Sequence, residues 1–455
     1  MPTPIDPDRD DSRRQTMKRR DWLKGASASV VAASAAVGGV AGIAGGAATM
    51  AGGAECAPGH PAGGHRGWWT WRGPCGNNVA ATAEFVAGAV TPGRIVWETA
   101  VPGRGHSSPI VTDRAIYLTT ADTTAGTQSV LAFDRRSGEA LWAEVTHQGG
   151  LPRENHRKNT EATPTVAFDG RRVIATFYND DRIVASAYSP DGKRLWQKSV
   201  SRYTPERYKY GYAASPTLYG ETAIFASEYD GPSFLTALSL ETGETVWQAE
   251  RPNSPSFSSP IVARVADRDQ LLISGSATVA SYDPRDGAAN WEAPASAKAT
   301  CGTLVWDDQN VYVSGGFPES ETACVRADGS ATLVWKNNQK CYEQSMLYFD
   351  GHVYAVTDQG VAYCWRASDG EMMWRHRLGG DYSSSPILVG DVIYAFNEGG
   401  QTFALRATPE RFVDLGTGQI GDEVFASPAV VGDTMFHRVA RNQADGRQEY
   451  LLAIR

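Results

Sequence analysis

The chain repeats one pattern of polar and apolar positions through most of its length. A small polar residue followed by proline opens a short apolar strand at Ser108, Thr163, Ser215, Ser259, Ser385 and Ser427, with degenerate copies at Gly302 and Ser345. Successive copies lie about 40–55 residues apart. A period of this length, repeated through the chain, is typical of small sheets arranged in a ring and not of unrelated domains.

A second pattern closes each repeat with an alternating strand, a glycine-containing turn and a tryptophan. These tryptophans are Trp142, Trp196, Trp247, Trp291, Trp335 and Trp374. Glycine in the turn fits the positive φ of a tight hairpin. Most repeats carry a further apolar strand between the two patterns, and no segment has a helix-length period. Each repeat therefore predicts a four-stranded antiparallel blade, with its tryptophan packed against the next blade.

The two ends of the repeat region complete each other. The last repeat begins at Ser427 and ends at Ile454 without a tryptophan strand, whereas Arg94–Trp97 precedes the first repeat. If the N-terminal strand completes the last blade, the ring closes without an exposed strand edge. Trp97 then takes the tryptophan position of the eighth blade. We predict an all-β fold: one eight-bladed β-propeller over 94–455, closed by its N-terminal strand.

The N-terminus has the layout of an export signal. Residues 1–24 carry seven Lys/Arg and five Asp, and residues 25–54 carry no charge. Arg19-Arg20, followed by Asp21-Trp22-Leu23-Lys24, is similar to a twin-arginine signal. We predict a signal peptide over 1–54, a linker and arm over 55–93, and a periplasmic or secreted protein. An uncleaved anchor and a start at Met17 instead of Met1 stay open.

Charge and hydropathy exclude several classes of protein. The chain has 43 basic and 51 acidic side chains, a net charge of −8, which argues against a general nucleic-acid binder. Hydrophobic residues make up 42% of the sequence, enough for a large core. The N-terminal segment is the one long uncharged stretch, so we expect no stable membrane span after signal cleavage, and a monomer.

The six cysteines suit an oxidising compartment. Their spacing matches no zinc pattern, and we predict no metal site. Cys324 and Cys364 occupy similar positions in successive repeats, which are usually too far apart to bridge. Cys301–Cys341 and Cys56–Cys75 are the candidate disulfides, although six cysteines allow 15 full pairings.

The repeat Ala-Leu/Tyr-Asp-x-x-x-Gly-x-x-x-Trp resembles the pyrroloquinoline-quinone (PQQ)-like repeat. Quinoprotein dehydrogenases and the outer-membrane assembly factor BamB share that repeat. The segment 68–74, Trp-Trp-Thr-Trp-Arg-Gly-Pro, is similar to the entry motif of secreted PQQ-like propellers of planctomycete-type bacteria. The resemblance covers 68–455 and implies either an interaction scaffold or a dehydrogenase with PQQ beside a calcium or lanthanide ion. A Cys-Cys dipeptide and a heme motif are absent, so we expect no cofactor, with PQQ plus calcium as the alternative.

Loops between successive blades gather at one mouth of the channel. Their candidate binding residues are His156, Asn159, Glu161, Arg207, Tyr210, Tyr212, Glu343 and Asp381. Cations, tyrosines and carboxylates on one concave surface suit a polyhydroxylated or anionic ligand. No catalytic residue is assigned. The hypothesis is an exported, non-catalytic scaffold resembling BamB that binds a protein partner or a polysaccharide. The alternatives are a PQQ-dependent alcohol or sugar dehydrogenase and a glycan-binding protein.

Overall fold

A computed structural model describes residues 67–80 and 84–455, which form eight β-sheets arranged as the blades of a propeller. The predicted eight-bladed all-β fold is confirmed. Within the described residues, the helical structure is a single 3₁₀ turn at Pro92–Arg94, and no apolar helix has the length needed to cross a membrane. The predicted signal over 1–54 lies outside the described residues.

The strands follow the repeat, four to a blade in seven of the eight sheets. The first segments are β1 Val79–Ala80 and β2 Ile95–Val101. Blades 1 and 2 contain β3 Ile110–Val111, β4 Ala115–Asp122, β5 Thr127–Asp134, β6 Ala140–Gln148, β7 Ala167–Phe168, β8 Val173–Asn179, β9 Arg182–Tyr188 and β10 Arg194–Arg202. Blades 3 and 4 contain β11 Thr217–Tyr219, β12 Thr222–Ser227, β13 Ser233–Ser239, β14 Thr245–Arg251, β15 Ile261–Val265, β16 Arg268–Gly275, β17 Thr278–Tyr282 and β18 Ala289–Pro294.

Blades 5 and 6 contain β19 Val305–Trp306, β20 Asn310–Gly315, β21 Glu321–Arg326, β22 Leu333–Asn337, β23 Leu347–Phe349, β24 His352–Val356, β25 Val361–Arg366 and β26 Met372–Arg377. Blades 7 and 8 contain β27 Ile387–Val389, β28 Val392–Phe396, β29 Gln401–Arg406, β30 Asp414–Gln419, β31 Ala429–Val431, β32 Thr434–Gln443 and β33 Gly446–Ile454. Inner strands such as β27 and β31 are buried throughout, whereas the outer strand β14 alternates towards solvent. This gradient follows from stacking, because neighbouring blades cover both faces of the inner strands.

The ring closes where the sequence predicts. β2 pairs antiparallel with β33 and places Trp97 opposite Ala453. The Arg455 N–H donates to the Arg94 carbonyl at 2.9 Å, so the two ends of the propeller are joined directly. The last blade is therefore built from both ends of the ring and has its full four strands.

The repeated tryptophans pack over turn glycines of the following blade. A Cβ atom placed on Gly138, Gly192, Gly243, Gly287 or Gly370 would approach the indole of Trp97, Trp142, Trp196, Trp247 or Trp335, respectively, to 2.5–2.8 Å. Each of these glycines also has a positive φ. The turn glycine thus serves the hairpin and leaves space for the neighbouring ring. Trp374 packs instead against Phe412, with ring centroids 5.8 Å apart.

Blade 7 lacks a tryptophan, and the N-terminal arm supplies the missing ring. Gly416 stands opposite Ala404, where other blades carry the tryptophan. Phe85 packs edge-on against Tyr394 at 5.4 Å, and the Arg94 guanidinium lies 4.3 Å above the Phe85 ring. A Cβ on Gly418 would meet the Val90 carbonyl at 2.0 Å, so a larger residue there would displace the arm.

The preceding part of the arm closes one end of the channel. Trp68 and Val111 exchange two backbone hydrogen bonds of 2.7 and 2.8 Å, and Phe168 donates its N–H to the Trp69 carbonyl. β1 adds to the inner strand of blade 7 in parallel. All of these contacts involve the last residues of inner strands. The arm therefore closes the channel end away from the loops that connect successive blades.

Arg72 fixes the turn of the arm. Its side chain is buried and donates to the carbonyls of Gly76, Asn77 and Met346 at 3.1, 3.1 and 2.8 Å. Burial lowers the pKa of Arg72 to about 9. The Met346 bond ties the turn to blade 6, so the arm is held by contacts on several blades.

The predicted Cys301–Cys341 disulfide is wrong, because both residues are free thiols, as are Cys324 and Cys364. The Cys341 Sγ contacts the Val356 carbonyl at 3.7 Å inside the core, whereas Cys301 lines an axial cavity. The two thiols therefore lie in different environments. Cys75 is disulfide-bonded, and Cys56 lies outside the described residues.

Replacing Phe85 with Ala should lower the free energy of unfolding by about 3 kcal/mol, because the change empties the position between blades 7 and 8. Urea unfolding followed by fluorescence measures the difference. Val86→Ala is the matched control: its side chain is 67% exposed, and its effect should stay within about 0.5 kcal/mol. Equal effects of the two substitutions would show that Phe85 does not replace the tryptophan.

Candidate functional site

Hydroxyl side chains join the inner strands of neighbouring blades around the channel. The backbone N–H groups of Ser108, Thr165, Ser215, Thr303, Ser345, Ser385 and Ser427 donate, in turn, to the hydroxyls of Thr165, Ser215, Ser259, Ser345, Ser385, Ser427 and Ser108, at 2.9–3.0 Å. At the remaining step the Thr303 hydroxyl accepts from the Trp71 indole at 2.9 Å. We call these eight residues the hydroxyl ring.

In two blades the hydroxyl-ring residue differs from the residue that the sequence repeat predicts. In blade 2 its member is Thr165, and in blade 5 it is Thr303, in place of the predicted Thr163 and Gly302. Each ring residue lies two positions before the first residue of its inner strand. The position relative to the strand defines the ring. A proline follows five of the eight ring residues and is absent after Thr165, Thr303 and Ser345.

A second ring lies two residues earlier in every blade. Its members are His106, Thr163, Ala213, Phe257, Cys301, Glu343, Ser383 and Phe425, and all of them line one axial cavity. Side chains at positions i and i+2 of an extended segment point to the same side, which explains why both rings face the channel. We call this second set the lining ring.

The cavity between the rings and the loops has a volume of about 170 Å³. Its floor includes Trp71 of the arm, while His156, Lys158, Tyr210 and Tyr342 enter from the loops. A volume of this order accommodates a small molecule of roughly benzene size. The side chains combine aromatic surfaces with a few polar groups, as small-molecule sites do.

Four of the eight predicted binding residues line this cavity: His156, Asn159, Tyr210 and Glu343. The His156 and Tyr210 rings meet edge-on at 4.9 Å. The Asn159 side-chain amide donates to the Tyr210 carbonyl at 2.5 Å, which joins the loop after blade 1 to the loop after blade 2. These contacts fix the wall of the cavity on that side.

The other four predicted residues lie outside the lining. Tyr212 is buried in the core and donates its hydroxyl to the Ala226 carbonyl at 2.8 Å. Arg207 and Asp381 are exposed, and a Glu161 carboxylate oxygen accepts from the Asn155 amide at 3.3 Å. The interblade loops are long enough to turn these side chains away from the axis.

Sequence reasoning did not identify Trp71 as a binding residue, and it missed seven of the eight members of the lining ring, among them His106, Phe257 and Phe425. It favoured polar loop residues, whereas much of the lining consists of hydroxyl and aromatic side chains next to the inner strands. The sequence position could have identified them, because each lining-ring residue lies two positions before a hydroxyl-ring residue.

A hydrogen-bonded charge network crosses the cavity wall. Lys158 Nζ lies 2.6 Å from Glu398 Oε1, and the Ser383 hydroxyl bridges Glu398, at 2.7 Å, and Glu343. Burial raises the pKa of Glu343, although Ser383 and Lys158 oppose the shift. For Lys158, burial alone would lower the pKa, but the hydrogen bond and charges of Glu398 and its neighbours outweigh it and raise the pKa.

His106 contributes an aromatic ring to the lining of the same cavity. Its ring stacks on Phe425 with centroids 4.4 Å apart. Burial, together with the positive charges of Arg104, Arg438 and Arg447, holds the pKa of His106 well below its ordinary value. The imidazole is therefore neutral at physiological pH and contributes a flat, uncharged surface.

The residues present do not fit a metal–quinone centre. A hard cation requires several oxygen ligands, and Glu343 is the single carboxylate in the cavity lining. Across residues 67–80 and 84–455, no group of three or more His, Cys, Asp or Glu side chains is placed to hold a metal ion. The geometry therefore gives PQQ with calcium no support.

Comparison with protein families identifies one match along most of the chain. The family described as outer membrane protein assembly factor BamB matches residues 76–231, 127–347 and 333–411. BamB of Burkholderia pseudomallei is 24% identical over 346 residues, which cover 71% of this chain and 82% of that protein. BamB of Yersinia pestis is 24% identical over 160 residues, 35% of this chain and 37% of that protein.

Solved structures share the fold. BamB from Moraxella catarrhalis superposes with a TM-score of 0.54 at 15% identity, covering 79% of this chain and 99% of that one. A europium-containing methanol dehydrogenase superposes with a TM-score of 0.62 at 11% identity, covering 86% and 98%. At these identities the likeness concerns architecture alone, which a scaffold and an enzyme have in common.

Glu343→Gln should stabilise the protein increasingly as pH rises. Because the pKa of folded Glu343 lies above its ordinary value of 4.5, its contribution to stability is full below that value and is lost as pH rises through the folded pKa. Glutamine does not ionise and escapes this loss. Urea midpoints at pH 4 and pH 8 measure the change. Asp381→Asn, which removes an exposed carboxylate at the mouth, is the control, and parallel pH profiles for wild type and Glu343→Gln would contradict the assignment.

Proposed function

This chain belongs to the family described as outer membrane protein assembly factor BamB, and we propose that it is an exported, non-catalytic scaffold for a protein partner in outer-membrane assembly. The observation that carries the proposal is the family match, which extends across 76–411. The match to BamB of Burkholderia pseudomallei covers 82% of that protein, which supports a role that involves the propeller as a whole.

The partner surface proposed here is the mouth of the cavity. Among the described residues, Phe317 is the exposed large hydrophobic side chain that lies outside the arm and the outer strands, and 37% of its surface is exposed. Its ring is 5.7 Å from Tyr208, which lies 5.5 Å from Tyr210 in the cavity wall. Exposed apolar residues on the outer strands, such as Leu195 and Val246, are distributed around the rim of the propeller. They do not form one continuous apolar patch for a partner. An exposed aromatic side chain on a loop is the usual anchor of a protein interface.

A polysaccharide ligand is the second candidate, and the same aromatic series supports it. Tyr208 and Tyr210 offer ring faces beside polar loop residues, the combination on which a sugar ring stacks. A quinone-dependent dehydrogenase has support from the fold alone, since the donor set of the cavity does not suit the cofactor.

Substituting Phe317 and Tyr208 together with Ala should reduce partner recovery about tenfold or more, because aromatic anchors carry about 2 kcal/mol or more of binding energy. The tagged full chain is crosslinked in its own cells, purified and compared by mass spectrometry. Leu195→Ala with Val246→Ala, on the outer strands, is the matched control.

Three results would overturn the proposal or its surface. If the wild type recovers no outer-membrane assembly protein above an untagged strain, the scaffold role fails. Equal loss in the outer-strand variant would move the surface away from the mouth. Saturable tryptophan quenching by PQQ plus calcium would favour the dehydrogenase alternative.

Export through the twin-arginine route is part of the proposal. Arg19→Lys with Arg20→Lys should leave the full-length chain in the cytoplasm, since the paired arginines are the recognised feature of such a signal. Cell fractionation and immunoblotting measure the distribution. Lys18→Arg, which keeps the basic character, is the control, and unchanged export of the double variant would assign the segment to another route.

A further inference from the structure

The cavity holds one carboxylate without an ion-pair partner. The charged residues of its lining, apart from the histidines, are Lys158 and Glu343. The Lys158 ammonium is engaged by Glu398 at 2.6 Å. In the described part of the chain, Glu343 forms no ion pair within 4.0 Å, and its hydrogen bond to Ser383 involves Oε2 alone. Glu343 Oε1 is therefore free to attract a positive group that enters the cavity.

Aromatic rings line the same cavity as this carboxylate. Trp71 closes the floor, and Tyr210, Phe257 and Phe425 line the walls. Tyr210 and Phe257 have centroids 6.0 Å apart, so they form a continuous surface. The faces of such rings attract cations within about 6 Å, most strongly where water is excluded. The same mouth already shows the interaction, because Lys340 Nζ lies 4.8 Å from the Tyr342 ring centroid.

The hydroxyl ring adds a third element of recognition. Six of its members face the cavity, and their oxygens accept an N–H from the adjacent blade. Each of these hydroxyls keeps its own O–H for donation. A ligand oxygen near the ring would thus be received by donors, while a positive group would be received by Glu343 and the aromatic walls.

We propose that the axial cavity binds a small organic ammonium ion that carries a hydroxyl or carbonyl oxygen, with Glu343 as its anionic anchor. The volume of about 170 Å³ suits a ligand of this size. The site lies inside the cavity whose mouth is the proposed partner surface, and Tyr210 borders both, but the proposal does not depend on the proposed function.

Choline and 3,3-dimethylbutan-1-ol form a matched pair of probes, because they have the same shape and hydroxyl group and differ in the charge of one atom. Isothermal titration calorimetry of the full chain should give choline a Kd of about 0.1–1 mM and the neutral alcohol at least about tenfold weaker binding. Tryptophan fluorescence, to which Trp71 contributes, is the second readout.

Glu343→Gln should weaken choline binding about tenfold, because it removes the negative charge that attracts the quaternary ammonium. Asp381→Asn should leave binding within about twofold, since Asp381 lies outside the lining. Phe257→Leu keeps an apolar side chain and should weaken choline more than the neutral alcohol. Circular dichroism and urea midpoints of each variant separate loss of binding from loss of folding.

Several outcomes would overturn the proposal. Equal affinity for choline and its neutral analogue would show that charge is not recognised, and unchanged binding by Glu343→Gln would remove the anchor. Stronger binding of acetate than of choline would assign the cavity to anions received by the hydroxyl ring. The absence of choline binding at about 10 mM would also refute it, because that concentration exceeds the expected Kd.

Discussion

Blades of a propeller belong to separate sheets, and here a ring of hydrogen bonds joins them. At seven of the eight steps the N–H of one ring residue donates to the hydroxyl of the next, and the step from Ser427 to Ser108 returns to the first blade. At the eighth step the Trp71 indole donates to Thr303 instead. Each such bond contributes about 1 kcal/mol, but together they fix the rotation of every blade about the axis. The positions of all side chains that face the channel depend on this alignment of the blades.

The consequence for the site is a division between constant and variable positions. The hydroxyl ring repeats the same chemistry, whereas the lining ring two residues earlier contains His106, Phe257, Cys301 and Glu343 among its members. The inner strands are fixed by backbone donors, so a change in one lining residue need not disturb its neighbours. A common architecture can thus hold different ligands, which agrees with a fold found in both BamB and a dehydrogenase.

Much of the fold could be read from the sequence because the repeat is local. Proline, turn glycine and tryptophan recur at similar intervals, and the missing strand of the last blade pointed to β2. The site was harder, because loop length does not reveal where a side chain points: Tyr210 enters the cavity and Tyr212 enters the core. Phe85 could not be found by period, since it stands far from blade 7 in the chain and replaces a tryptophan by packing alone. The Cys301–Cys341 disulfide prediction failed because Cys301 lines the axial cavity, whereas Cys341 is buried in the core.

The arm gives the cavity its floor at Trp71 and, 14 residues later, fills the gap between the last two blades with Phe85. One continuous segment thus takes part in ligand contact and in holding the ring together. Ligand binding in the cavity and closure of the ring are therefore thermodynamically linked. A ligand in contact with Trp71 stabilises the arm packed against the blades, and the packed arm preorganises the site for the ligand.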